Sequence, residues 1–306
     1  MSVYDVAIIG GGPSGLAAAA YTAGFQLQPI LLAPTLGGKA NYEFRLNGQY
    51  YSTPIWGLET VQLFEKHVHQ QKIAHQPDEV SHVIDNGKDG FTVELANSAP
   101  VQARTVIVAT GAKPQRLYVP GEQEYWGRGV SFSALSHSPL FRGRDVVVVG
   151  NGERTQVAIL KLAGLAHHVY WLSPTTHEAT VARLRQFENH PKVTPLFGWE
   201  LQRILGGDCV TAVEIATDYA TRQLTADGVF VELGLIPNIE FIRGLVEFDP
   251  ETGHIPVNQR CETALPGLFA AGDVTDVYAE QITVAIGEGV KAAISAWEYL
   301  VTQPGK

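Results

Sequence analysis

VYDVAIIGGGPSG, residues 3–15, decides how the rest of the chain is read. The apolar, β-branched run Val6–Ile9 predicts a fully buried strand. It enters Gly10-x-Gly12-x-x-Gly15 directly, and the Ala-rich stretch Leu16–Thr22 predicts the helix that follows. Each glycine has a mechanical role in such a turn. Gly10 makes the bend, Gly12 lets a pyrophosphate approach the backbone, and Gly15 lets the helix pack on the strand. Pro13 and Ser14 fill the turn, and the helix end offers unpaired N–H groups and a positive dipole to phosphates. A glycine triplet alone is weak evidence, but strand, turn and helix in this order within the first ~30 residues give the context of a dinucleotide site.

Working outward, 306 residues fit about two domains, each with a sizeable core. A net charge of −9 with no basic stripe speaks against a nucleic-acid partner. No apolar run approaches the ~20 residues of a membrane span, and the first strand begins too early for a signal peptide, so a cytoplasmic location is expected. Cys209 and Cys261 stand 52 apart with no CxxC, which reads as two unpaired thiols in a reducing compartment. His167-His168 and His67-x-His69 lack Cys or carboxylate partners at ligand spacing, so no metal is expected.

The first module continues with a strand at Gln28–Leu32. The acidic residue that commonly ends this strand and holds ribose hydroxyls is replaced by Ala33-Pro34-Thr35. Gly37-Gly38-Lys39, with Asn41 just beyond, forms a loop able to lie beside a bound ring system. Thr60–Gln71 reads as an amphipathic helix, Asn86-Gly87 as a turn, Phe91–Leu95 as a strand of a small antiparallel insertion, and Thr105–Val108 as a buried strand ending in Ala109-Thr110-Gly111. The module then repeats. RDVVVVGNGERT, residues 144–155, places Gly150-x-Gly152 140 residues after Gly10. Helix Gln156–Ala163 and strand Val169–Leu172 complete the copy. A repeat of one βαβ unit at this distance points to an α/β protein of two nucleotide-binding domains. Gly228–Leu235 and Gly267–Asp273 read as further strands, and a helix is expected over roughly Glu280–Leu300.

IIGGGPSG, LGGK, IVATGAKP, EYWGRGVSFSALSHSPLFRGRDVVVVGNG, GVFVELGLIPNIEF and LPGLFAAGDV…EQITVAIGEG occur in this order over nearly the whole chain. On these stretches the sequence resembles the low-molecular-weight thioredoxin reductase family of FAD-containing pyridine-nucleotide disulfide oxidoreductases. The resemblance implies two Rossmann-like domains of the glutathione-reductase type. A discontinuous FAD domain (residues 1–115 and 244–306) would enclose an NADPH-domain-like module (116–243), with crossovers near 113–118 and 243–246. It places the FAD pyrophosphate on Gly12–Gly15, Asp273 after Gly272 on the ribityl or pyrophosphate side, and Gln281 and Ile282 at the carbonyl edge of the flavin. It also implies a homodimer, and domains that rotate to alternate access to the flavin.

The departures from that pattern carry as much information. Where the family has a redox-active CATC-type pair followed by Asp, this chain reads Ser133-Ala134-Leu135-Ser136-His137. Hydroxyls form neither a disulfide nor a thiolate. Either both serines stand in for cysteines, or the protein uses its flavin without a dithiol. His137 takes the place of the acidic proton donor, as an imidazole titrating near neutrality or as a solvated loop residue. The second glycine turn closes with Glu153-Arg154-Thr155. The arginine cluster that clamps a 2′-phosphate is replaced by Ser173-Pro174-Thr175-Thr176-His177, with no arginine until Arg183. NADPH is therefore not the expected donor. Tyr170 and Trp171 could stack on an adenine or a second flavin around Gly150, Gly152 and Arg154, or fill the core.

One subgroup joins the fold to a missing NADPH signature: the diflavin-linked disulfide oxidoreductases of oxygenic photosynthetic prokaryotes, which bind a second FAD. The ferredoxin-linked flavin thioredoxin reductases are the sister possibility. The expected function is thus FAD-dependent electron exchange with a dithiol/disulfide, with Ser133, Ser136 and His137 at the reacting position. The alternatives are a dithiol-free flavoprotein served by a ferredoxin-like carrier or another flavin, and a non-catalytic flavin-binding sensor.

Overall fold

A computed structural model describes residues 3–46, 49–51, 57–173, 187 and 190–302. The chain forms two compact units: Met1–Asn41, Trp56–Lys113 and Ile236–Lys306 make the first, Tyr42–Ile55 and Pro114–Leu235 the second.

In the first unit the strand Val3–Ile9 is central and lies parallel to Pro29–Leu32 on one side and Val101–Val108 on the other. Its inner residues Val6, Ala7, Ile8 and Ile9 are all buried, as expected of a parallel strand covered on both faces. Alternate residues serve opposite faces. Val6 and Ile8 pack with Leu16, Ala18, Ala292 and Ala296 of two helices, whereas Ala7 and Ile9 pack with Val83, Phe91, Val93 and Ile242. Those helices are α1 (Pro13–Gly24) and the long terminal helix. Helix α2 (Leu58–Gln70) adds Val61 and Val68 to the same face. Strand Val101–Val108 changes neighbour half-way along one edge: Val101–Ala103 pair with the antiparallel Phe91–Val93, and Val106–Val108 with the parallel Leu268–Ala270. The chain leaves the carboxyl end of Val3–Ile9 at the point where strand order reverses, which is where open α/β sheets bind ligands.

The second unit repeats the plan. Five parallel strands run in the order Val130–Ser131, Gly228–Val231, Asp145–Val149, His168–Ser173, Val193–Phe197. The short helix α3 (Ala134–His137) and helix α4 (Glu153–Ala163) belong to this unit. Val146, Val148 and Trp171 face α4, while Val147, Val149 and Leu172 face the antiparallel meander Glu200–Gly206, Val210–Ala216, Thr221–Thr225.

Two boundaries differ from the sequence expectation. The chain passes between units through Ala112–Pro114 and Leu235–Pro237, which pair as two short strands, so the second crossover lies some eight residues earlier than 243–244. The segment Tyr42–Ile55, expected in the first domain, groups with the second. The cause is packing: Phe44 and Leu46 are buried beside Phe141, and Arg45 N donates to Gly127 O at 2.6 Å. The expected strand Gly228–Leu235 is also broken, ending at Val231 before resuming at Leu235.

Candidate functional site

In the first unit the turn after Val3–Ile9 is fixed by its own backbone. Gly10 adopts φ +114°, and a Cβ there would stand 2.3 Å from the Ala109 carbonyl oxygen. A Cβ at Gly15 would stand 1.8 Å from Gly10 O, so the start of α1 sits directly on the turn. Gly12 is different. Its φ is −76°, and among the described residues none beyond its chain neighbours comes within 4 Å of where its Cβ would be. Neither backbone strain nor packing demands glycine there, and the bare backbone faces open space that a side chain would fill. Helix α1 begins with Pro13, has no side-chain cap and no acid in its first turn. Its first intrahelical bond is Leu16 N to Gly12 O, which leaves the Ser14 and Gly15 N–H groups for an anion. The Ser14 hydroxyl is buried and without a hydrogen-bond partner among the described residues.

Three further chain segments reach this turn. The loop Gly37–Asn41 lies on it: Gly37 N donates to Gly11 O at 2.8 Å, a Cβ at Gly38 would stand 2.9 Å from Gly12 Cα, and Asn41 Nδ2 donates to Leu36 O. On the other flank a Cβ at Gly272 would stand 3.1 Å from Ser14 Cβ. The residues following these two glycines, Lys39 and Asp273, form an ion pair. Gly272 N donates to Glu288 Oε2 at 2.9 Å, which fixes the bend that carries Asp273. Ala109-Thr110-Gly111 is clasped by Asn238: Thr110 Oγ1 donates to Asn238 O at 2.7 Å, and Asn238 Nδ2 donates back to Thr110 O at 2.9 Å. Gln281 turns its amide onto Glu280 O just before Ile282 opens the terminal helix, hereafter α5 (Ile282–Thr302). Gly10–Gly15, Gly37–Lys39, Ala109 and Gly272–Asp273 thus gather at the carboxyl ends of parallel strands, while Gln281 and Ile282 stand at the start of α5. Asn238 and Glu288 escaped sequence reasoning because nothing local marks them.

In the second unit Ser133 caps α3, and its hydroxyl donates to the Ser136 hydroxyl at 3.1 Å. The two side chains therefore face each other across one helical turn. His137 points away from them. Its Nδ1 lies 2.8 Å from Ser131 Oγ, and its ring packs on Phe44 with centroids 4.6 Å apart. Burial holds the imidazole down to about 4, not near neutrality as its sequence position led one to expect, so it is neutral at pH 7.

Behind α3 lies a network built on Glu232, which is 4% exposed. One carboxylate oxygen accepts from Ala134 N at 2.7 Å and the other lies 3.3 Å from Arg154 Nε. Arg154 also donates to Phe132 O at 3.4 Å, and Thr155 Oγ1 donates to the Glu232 carbonyl at 3.1 Å. Glu232 was not singled out from sequence, although a carboxylate inside the apolar stretch GVFVELGL was a visible signal. Trp171 is fully enclosed and donates Nε1–H to Gly150 O at 2.9 Å, so its ring packs the core and offers no free face. Tyr170 is half-buried beside His168. Of the segment expected to replace the arginine cluster, Ser173 is buried, while Pro174–His177 and Arg183 lie outside the described residues. Among the described residues no three His, Cys, Asp or Glu side chains gather to hold a metal ion, and no helix is long and apolar enough to cross a membrane.

Comparison with known proteins adds the following. Residues 4–289 match the family model "Pyridine nucleotide-disulphide oxidoreductase". Over 305 residues, 97% of this chain, the sequence is 34% identical to an alkyl hydroperoxide reductase subunit of Pseudomonas putida. Over 303 residues it is 34% identical to a Bacillus subtilis protein named NADH dehydrogenase. The chain spans only 58% and 59% of the length of these two relatives. Among solved structures, thioredoxin reductase from Streptococcus pyogenes superposes with a TM-score of 0.85 at 29% identity, covering 98% of this chain and 99% of that one.

Proposed function

The chain belongs to the pyridine nucleotide-disulphide oxidoreductase family, and on that premise we propose that it is an FAD-dependent oxidoreductase working without a dithiol of its own and without NADPH as main donor. The observation that carries this reading is the hydrogen bond between Ser133 Oγ and Ser136 Oγ, on the turn where the sequence resemblance puts a redox-active cysteine pair. Hydroxyls cannot store electrons as a disulfide does. The two cysteines do not substitute for that pair. Cys209 and Cys261 are buried in different units, and burial pushes the Cys261 thiol up to about 11.

The residues of the first unit fit FAD. The open backbone at Gly12 and the uncapped start of α1 suit its pyrophosphate, and Lys39 neutralises the Asp273 carboxylate that would otherwise repel it. When bound, FAD supplies electron storage usable in one- or two-electron steps. Gln281 and Ile282 at the start of α5 are assigned to the carbonyl edge of the ring, where the positive helix end favours negative charge. The second glycine turn has the same open shape at Gly152 but opposing charge, which weighs against both NADPH and a second FAD.

The external electron partner is then a ferredoxin-like carrier or a dithiol/disulfide substrate that exchanges directly with the flavin site. A homodimer is part of the proposal. The aromatic row Tyr21 on α1, Phe25 just past its end and Trp297 on α5, with Tyr21 partly exposed, is the face we assign to it.

An anaerobic dithionite titration of the FAD-saturated chain tests the reading. It should consume about two electrons per FAD, with about one FAD per chain. About four electrons per FAD would reveal a second redox couple and overturn the dithiol-free reading. About two FAD per chain would establish the diflavin alternative.

The same geometry favours one other reading, in which Ser133 and Ser136 stand in for cysteines. Their side chains already face each other across a capped turn, as a dithiol would.

A further inference from the structure

We infer that Glu232 acts as an internal competitor for the phosphates of a nucleotide at the second glycine turn, and so sets the donor specificity of the second unit by charge. The inference rests on the reading above, in which NADPH is not the main donor, and gives it a specific cause.

Among the described residues shape does not close this turn. None of them beyond its chain neighbours comes within 4 Å of where a Cβ at Gly152 would be, and α4 starts without a side-chain cap, as α1 does at Gly12. Charge separates the two turns. The first turn of α1 has no acid, whereas that of α4 carries the exposed Glu153. Arg154 is the one cation in the sequence Gly150–Thr155, and it is spoken for. Its Nε lies 3.3 Å from the buried Glu232 carboxylate, and its guanidinium also donates to Phe132 O. Glu232 cannot swing aside to release it. One carboxylate oxygen is held by Ala134 N at 2.7 Å and the main-chain oxygen by Thr155 Oγ1 at 3.1 Å. A nucleotide phosphate recruiting Arg154 would have to draw it away from the buried Glu232 carboxylate, and separating a buried pair is costly. Within the sequence Gly150–Thr155 the charge then left to meet the phosphate is Glu153.

Glu232 is a specificity-determining residue here, and Arg154 is the binding group it withholds. The Ala134 contact means that the same carboxylate also anchors the Ser133–Ser136 turn.

The test uses the full chain saturated with FAD, so that the first turn is occupied, and ADP as the probe, measured by calorimetry. Wild-type protein should bind ADP weakly, with Kd above roughly 1 mM. Glu232→Gln keeps the size and the acceptor for Ala134 N but removes the competing charge, and should tighten ADP binding at least about tenfold. Arg154→Gln should change the wild-type affinity less than about twofold, yet abolish the gain when added to Glu232→Gln. Slow hydrogen exchange at the Ala134 amide shows that the variant keeps its fold. Exposed Glu153→Lys offers the turn a cation without touching the core, and should also tighten ADP binding about tenfold.

Micromolar ADP binding by the wild type would overturn the inference. So would Glu232→Gln or Glu153→Lys leaving the affinity unchanged, or Arg154→Gln alone weakening it tenfold. None of these results changes the electron count per FAD, which tests the dithiol-free reading separately.

Discussion

Two glycines on one helix should respond to alanine with opposite signs. Gly289 and Gly287 both lie inside α5, where alanine is intrinsically better than glycine by about 1 kcal/mol. At Gly287 none of the described residues outside the helix's own backbone comes within 4 Å of the new methyl group, so Gly287→Ala should realise most of that gain. At Gly289 the methyl group would stand 2.1 Å from the Ser14 carbonyl oxygen and 2.8 Å from its carbon. Both are backbone atoms of α1, so no side chain can swing away. Ordinary contact demands that the helices part by more than about 1 Å, and overpacking of this kind costs about 1–3 kcal/mol. Taking the upper end against the helix gain leaves Gly289→Ala destabilised by about 2 kcal/mol. Because Ser14 lies within the turn proposed for the FAD pyrophosphate, the displacement should also weaken FAD binding. The assay is thermal release of flavin fluorescence from FAD-loaded protein, with urea unfolding of the same samples. Gly289→Ala as stable as Gly287→Ala, with unchanged flavin release, would refute the claim that α1 and α5 meet backbone to backbone at the turn.

The His137 imidazole provides a pH signature. Its folded-state value of about 4 lies below the unfolded value of 6.5, so the unfolded chain takes up the proton first. The contribution is present in full above about pH 6.5 and is lost as pH falls towards 4, up to about 3 kcal/mol. Denaturant unfolding from pH 7 to 4 should show this slope in the wild type and a flatter one in His137→Gln; equal slopes would sink the assignment. The double variant Ser133→Cys, Ser136→Cys should oxidise to a disulfide, since the side-chain oxygens already lie 3.1 Å apart on a capped turn. Two thiols at these positions that stay reactive to an aromatic disulfide reagent after exposure to air would contradict that geometry. Trp171→Phe removes a buried donor from Gly150 O and leaves a cavity, and should destabilise the second unit by about 3 kcal/mol. Near-UV circular dichroism across a urea series measures it, and a loss below about 0.5 kcal/mol would show that the ring is not packed as described.

What could be read without coordinates was whatever a local steric rule dictates. Gly10 and Gly15 announce strand, turn and helix because a side chain would not fit there, Gly12 marks where the backbone is left bare, and Gly150 and Gly152 repeat the message. Features set by distant partners were opaque. Nothing in Phe44-Arg45-Leu46 says that it will pack beside Phe141, yet that contact moves a whole segment from one unit to the other. The ring of Phe44 over His137 accompanies the burial that makes a neutral imidazole of a residue whose sequence position suggested a proton donor. The partners Arg154 and Glu232 lie far apart along the chain, and the pairing exists only because the Gly228–Val231 strand lies beside Asp145–Val149. Trp171 was ambiguous in sequence because stacking and packing ask for the same residue; its bond to Gly150 O assigns it to the core.

The first unit's sheet is finished only late in synthesis. Its central strand Val3–Ile9 is made more than 250 residues before Leu268–Ala270, the Gly272–Asp273 bend and α5. Contacts of such long sequence separation form slowly. Meanwhile Pro114–Leu235 carries the strands of its own parallel sheet and can consolidate as a nascent domain. The Gly10–Gly15 turn therefore has to wait for the Gly272 bend and α5, and a chain halted before them should carry a folded second unit and an open first one, the natural prey of cellular proteases.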